Sequence, residues 1–129
     1  MTTRTSVNIP GFKHVNPIPN ASRIGNMMMS GVIIGVDAAT GKVPPDLKQQ
    51  CVNMFAHVRA IVDAGGFSTD DIIKMTVWLK DPADRAVLNE EWVKLFPDPQ
   101  SRPARHALPH TGGGDALILC DITAVRQGT

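Results

Sequence analysis

Leu47, Cys51, Met54, Val58 and Ile61 recur at alternating steps of four and three, which puts them on one stripe of a helix. Asp46 stands where an N-cap belongs, and Gly65-Gly66 ends the stripe. After the polar connection Ser68-Thr69-Asp70-Asp71, residues Ile73, Met75, Val77 and Leu79 alternate with Lys74, Thr76, Trp78 and Lys80, the period of a strand. A second helix is predicted over residues 82–96, with Leu88, Trp92 and Leu95 inward. Pro97, Pro99 and Pro103 then enforce a rigid crossing. Two more strands are predicted over residues 104–108 and 116–125, joined through Gly112-Gly113-Gly114. Upstream, residues 2–9 read as a short first strand, and the proline-rich stretch 16–20 must be extended or turned. Residues 22–26 and 27–34 are strand material around a tight turn at Gly25-Asn26, and a second turn follows at residues 37–41.

The order is strands, helix, strand, helix, strands, an α+β pattern in which two amphipathic helices cover one face of a mixed sheet. With 129 residues the chain suffices for one domain, residues 1–129, and leaves no third layer for the other face. Strands 72–80 and 116–125 carry apolar or aromatic residues on both sides, so another subunit is expected to cover them.

Thirteen Lys and Arg stand against twelve Asp and Glu, without a basic stripe, which argues against a nucleic-acid or anionic-membrane binder. The longest apolar runs are far too short to span a bilayer. No secretory h-region opens the chain, and Cys51 and Cys120 fit no metal spacing. They read as buried free thiols, which suits a reducing cytoplasm.

Dinucleotide, P-loop, zincin and nucleophile-elbow motifs are absent. His14, His57, His106 and His110 are scattered, and His57 reads as a partly exposed surface histidine rather than a ligand. Met27-Met28-Met29 reads as core filler rather than a thioether metal box. Arg105 opens a predicted strand after Pro103-Ala104. It is either an ordinary surface or salt-bridged arginine or a bidentate anchor for a carboxylate. Asp121 interrupts an apolar run and shares a period-two face with Leu117, Leu119, Thr123 and Val125. A carboxylate there either positions a water as general base or pairs an arginine across a subunit interface. An isolated helical Asn89 is usually solvent-facing.

Several segments together resemble one family. They are Gly25-Asn26-Met27, Ser30-Gly31, Thr40-Gly41-Lys42-Val43-Pro44, Ala60-Ile61-Val62-Asp63-Ala64-Gly65, Asp71-Ile72-Ile73-Lys74-Met75-Thr76-Val77, Lys80-Asp81, Asn89-Glu90-Glu91-Trp92 and Pro103-Ala104-Arg105. Their order and spacing resemble the RidA/YjgF family of imine and enamine deaminases, over about residues 15–126. The resemblance implies a chorismate-mutase-like α+β fold in a homotrimer with clefts between subunits. It implies that Arg105 binds the substrate carboxylate and that Asp121 orients the attacking water. It further implies that Ser30, Gly31 and Asn89 line the cleft. The implied reaction is hydrolysis of a 2-imino or 2-enamino acid to the 2-oxo acid and ammonium, with no metal or organic cofactor required.

The departures reshape the pocket. The family's Gly-Pro-Tyr reads Asn16-Pro17-Ile18, and the chain has no tyrosine. Ser-Gly-Gln becomes Ser30-Gly31-Val32, and one extra residue lies between Ser30 and Gly41. His106 and Ala107 replace a small residue and a cysteine, though a backbone carbonyl there still suits the water. The acid is Asp121 rather than glutamate, shorter by about 1.5 Å. A less polar mouth at Ile18 and Val32 admits a bulkier acid, such as a ring-cleavage enamine resembling 2-aminomuconate. The alternative is a trimer that binds a small carboxylate, or acts as a chaperone-like surface, without turnover. Ribonuclease activity, attached to some relatives, is disfavoured by the neutral charge and the lack of a histidine pair.

Overall fold

The computed structural model describes residues 3–127. Its strands are β1 (Arg4–Val7), β2 (Ala21–Ile24), β3 (Met27–Ser30), β4 (Ile33–Ile34), β5 (Ile72–Leu79), β6 (Ala104–Pro109) and β7 (Ile118–Val125). Its helices are α1 (Leu47–Ala64) and α2 (Arg85–Leu95), and single 3₁₀ turns at Thr69–Asp71 and Pro82–Asp84 lead into β5 and α2. The strands form one sheet in the order β1-β2-β3-β7-β5-β6, with β4 continuing the β3 side of β7. Pairing is antiparallel except between β5 and β6, which run parallel because α2 crosses between them. The fold is therefore the α+β, two-helix mixed sheet expected, and no helix among the described residues is long and apolar enough to cross a membrane.

Asp46 caps α1, its carboxylate accepting from the Gln49 N–H at 3.1 Å. At the other end Gly66 takes φ +81°, so that the Phe67 N–H returns to the Val62 carbonyl at 2.8 Å. Cys51, Met54, Val58 and Ile61 are fully buried against Met75, Val77, Ile118, Cys120 and Ile122 of the central strands. Gly35 allows the first turn of α1 to cross the end of β4, because a β-carbon there would collide with the Gln50 backbone.

Three local expectations change. The β5–β7 register shifts between Ile72 and Lys74, so Ile72 enters the core and Ile73 turns to the uncovered face. Only Met28 of the methionine triplet is core; Met27 and Met29 are exposed on alternate positions of β3. His57 is buried rather than partly exposed, its Nε2–H donating to the Val36 carbonyl at 2.7 Å and its ring stacked on Phe12.

Both thiols are buried and free. Burial, reinforced by the Glu91 charge, pushes the Cys51 thiol up to about 12, and burial raises Cys120 as well. Neither is expected to react with an aromatic disulfide reagent in the native state, while denaturant exposes both; rapid native labelling would contradict this burial.

Gln50 is the buried polar hub. Its amide donates to the carbonyls of Pro44 (2.7 Å) and Asp115 (3.1 Å), and its oxygen accepts from the Leu117 N–H (2.8 Å). These bonds tie the loop before α1 to the start of β7. Gln50→Leu strands all three backbone groups in a dry site and is expected to cost about 2–4 kcal/mol by urea denaturation. A loss below about 0.5 kcal/mol would show that the loops hold without it.

Candidate active site

Arg105 lies on the edge strand β6, opposite Met75 of β5, and so shares the helix-covered side of the sheet. Its guanidinium stacks over the Trp92 ring of α2 at 4.8 Å from the centroid. Nη1 is buried without a hydrogen-bond partner among the described residues. Burial lowers the Arg105 pKa, and the charge of Arg85 acts in the same direction. An arginine stays protonated under such a shift. Its charge is therefore poorly compensated, which favours an incoming anion.

Arg85, Asn89 and Trp92 follow at steps of four and three, one stripe of α2. Trp92 of this stripe carries Arg105. Arg85 joins Ala107, which stands two residues after Arg105 on the same side of β6, around a recess of about 60 Å³. Asn89 is exposed on the stripe.

Asp121 occupies the opposite face. It pairs with Thr76, which pairs with His106, so Asp121, Thr76 and His106 form a row across β7, β5 and β6 on the uncovered side. Burial raises the Asp121 pKa, while the Thr76 backbone N–H and the Lys74 charge pull it back. A raised carboxyl is the stronger base when ionised.

Ser30 and Gly31 stand beside Asp121 for a structural reason. Met29 pairs with Thr123, and Ile33 pairs with Cys120, so three residues of the β3–β4 segment bow out opposite Asp121 and Ile122. Where the ladder opens, the Ser30 hydroxyl accepts the Ile122 N–H at 2.9 Å. The Gly31 N–H donates to the Asn20 carbonyl at 2.9 Å.

Ile18 and Val32 line a cavity of about 610 Å³, with Phe12, His14, Ile34 and Val36 among its other walls. The expected site residues thus fall into two groups. Arg105, Ala107 and Asn89 lie along β6 and α2. Asp121 and His106 lie on the uncovered face, Ser30 and Gly31 in the bulge opposite Asp121, and Ile18 in the wall of the cavity that Val32 also lines. Within this chain β5 separates Arg105 from Asp121, and they point to opposite sides. The Arg85–Asn89–Trp92 spacing is a readable sign of a platform for Arg105. His14, whose place the sequence leaves open, lies in the cavity wall with Ile18.

Among the described residues no group of three His, Cys, Asp or Glu side chains converges to hold a metal.

The family model described as Endoribonuclease L-PSP matches residues 12–111. A RutC family protein of Pyrococcus horikoshii is 37% identical over 117 residues, covering 89% of this chain and 91% of its own. The 2-iminobutanoate/2-iminopropanoate deaminase of Escherichia coli K12 is 35% identical over 119 residues, covering 88% of this chain and 90% of its own. Among solved structures, the E. coli YjgF gene product aligns with a TM-score of 0.86 at 29% identity, over 95% of this chain and 99% of that one. E. coli TdcF with bound serine gives 0.87 at 29% identity over the same shares. With the family model spanning most of the chain and relatives similar over nearly all of it, the chain belongs to the RidA/YjgF family.

Proposed function

We propose that this protein hydrolyses 2-imino or 2-enamino carboxylic acids to 2-oxo acids and ammonium, in clefts formed between subunits of a homotrimer. The observation that carries the reading is the buried, unpartnered Nη1 of Arg105 on its Trp92 platform, a rigid fork suited to a carboxylate. Relatives named as imine deaminases supply the reaction class. Arg105 holds the carboxylate and fixes the imine carbon, and Asp121 orients and deprotonates the water. The substrate is a small carboxylate, and no organic cofactor takes part.

The opposed faces of Arg105 and Asp121 support assembly. One chain cannot aim both groups at one substrate, whereas the Arg105 edge of one copy against the uncovered face of the next can. That face exposes Ile24, Met27, Met29, Ile73 and Val125, an apolar patch that association would bury. The same separation favours a second reading for an unassembled chain: it binds a carboxylate without turning it over.

The test is ammonium release from 2-iminopropionate and 2-iminobutyrate generated in situ by an amino-acid oxidase. Arg105→Ala is expected to lower kcat/KM by about 10²–10⁴-fold, the worth of two charge-assisted hydrogen bonds. Full activity in that variant would refute the mechanism. Binding of the 2-oxo acid without turnover by wild type would favour the second reading.

Asp121→Asn is expected to lower kcat by about 10²–10⁴-fold while leaving stability at neutral pH equal or higher. The sign follows from linkage: a carboxyl titrating higher in the folded state than in the unfolded one loses the fold stability as pH rises through that window. A variant clearly less stable in urea would mean that Asp121 is a structural partner.

Co-refolding equal amounts of Arg105→Ala and Asp121→Asn is expected to recover about a quarter of wild-type activity, since each cleft draws one group from each of two chains. Activity no greater than the sum of the separate variants would place both groups in one subunit.

A further inference from the structure

We propose that His14 is a catalytic proton-transfer residue, delivering a proton from Nε2 to the substrate nitrogen as it leaves. The assignment rests on the deaminase reading above and gives the leaving nitrogen an acid distinct from the base Asp121.

His14 lies in the loop between β1 and β2, on the wall of the 610 Å³ cavity that Phe12, Ile18, Val32, Ile34 and Val36 make largely apolar. Lys13 also lines this cavity, but it is exposed and its ammonium is free to stay in water. The Nε2 of His14 is shielded from solvent and has no hydrogen-bond partner among the described residues. A shielded imidazole nitrogen without a partner is costly, and native structures rarely leave one without a role.

The ring is held firmly. Phe12 packs on it at 4.7 Å between centroids, and Phe12 is itself stacked on His57, which is tied to Val36. The buried Asn20 side chain accepts from the Ile9 N–H and donates to the Phe12 carbonyl, both at 2.9 Å. Its backbone carbonyl takes the Gly31 N–H. One residue thus fastens the His14 loop to the bulge beside Asp121. Nε2 lies 4.0 Å from where a β-carbon on Gly31 would sit, and Gly31 follows Ser30, which bonds the residue next to Asp121. His14 Nε2 thus lies near the bulge that stands opposite Asp121.

The chemistry has a place for such a group. Water adds to the iminium carbon and gives one proton to Asp121, leaving a neutral carbinolamine. Its nitrogen must be protonated before the C–N bond breaks. Protonated His14 donates that proton, and the C–N electron pair leaves with ammonia. The hydroxyl O–H pair becomes the C=O bond, and its proton returns to His14. The proton on Asp121 passes to ammonia, so iminium and water leave as oxo acid and ammonium with both residues restored. Arg105 cannot serve, because a guanidinium does not release its proton at working pH. The thiols are raised out of range, and the chain has no tyrosine.

The test compares kcat and KM for ammonium release in His14→Gln, His14→Ala and His106→Gln, with His110→Gln as a control outside the site. His14→Gln is expected to lose about 10²–10⁴-fold in kcat with KM nearly unchanged. Millimolar imidazole is expected to restore part of kcat in His14→Ala, where the cavity can admit it, and none in Arg105→Ala. Should His14→Ala fail to assemble, His14→Gln carries the test alone. Undiminished kcat in His14→Gln, or a loss found only in His106→Gln, overturns the assignment and leaves the deaminase reading standing. A wild type without turnover on any imine removes the deaminase reading and the assignment with it.

Discussion

Two helices cannot cover both faces of a seven-stranded sheet, and this chain sends both to the same face. The parallel β5–α2–β6 crossover puts α2 on the side where α1 already lies, so the core forms there. What remains is a face with apolar side chains in solvent and one acid, Asp121, among them. The same arrangement leaves β6 as an edge strand. From an edge, a long side chain on the helix side can pack on the rim of α2, as Arg105 does on Trp92. The separation of the two charges therefore follows from the one-sided covering of the sheet.

Much of this was legible in the order of residues, and the misses have physical causes. The stripe Cys51–Met54–Val58–Ile61 and the alternation of β5 and β7 report burial directly, because a period of 3.6 or 2 maps onto one face. Ile73 was misplaced since a bulge inverts parity locally, and the bulge is set by pairing with β7, a strand about fifty residues away. His57 was misplaced because a lone histidine carries no signal of burial. Its partners, Phe12 and the Val36 carbonyl, come from the loop and strand end that fold over α1.

The candidate site divides in the same way. Arg105 after a proline and Asp121 inside an apolar run stand out by local chemistry alone. Ser30, Gly31 and Asn89 do not; they were reached through family resemblance, and the structure gives the reason for the first two. They form a bulge forced where β3 stops pairing with β7 and β4 resumes. His14 could not be found from its neighbours, because its meaning depends on Asn20 fastening one loop to another.

Both charged groups pay an electrostatic penalty in the folded chain. Burial disfavours the ionised form of each, and Arg85 adds repulsion to Arg105. On the proposed reading the substrate relieves both at once. Its carboxylate neutralises Arg105, and its iminium nitrogen, a cation, favours the ionised form of Asp121 just when a base is needed. The 2-oxo acid product, with a neutral ketone in place of the iminium, keeps the first interaction and loses the second, so its hold on the site weakens as ammonium departs. The discrimination lies where catalysis requires it, in contacts made to the reacting cation rather than to the common carboxylate. Ile18 brings no hydroxyl to the wall it shares with His14, and among the described residues the His14 Nε2 there is shielded without a partner.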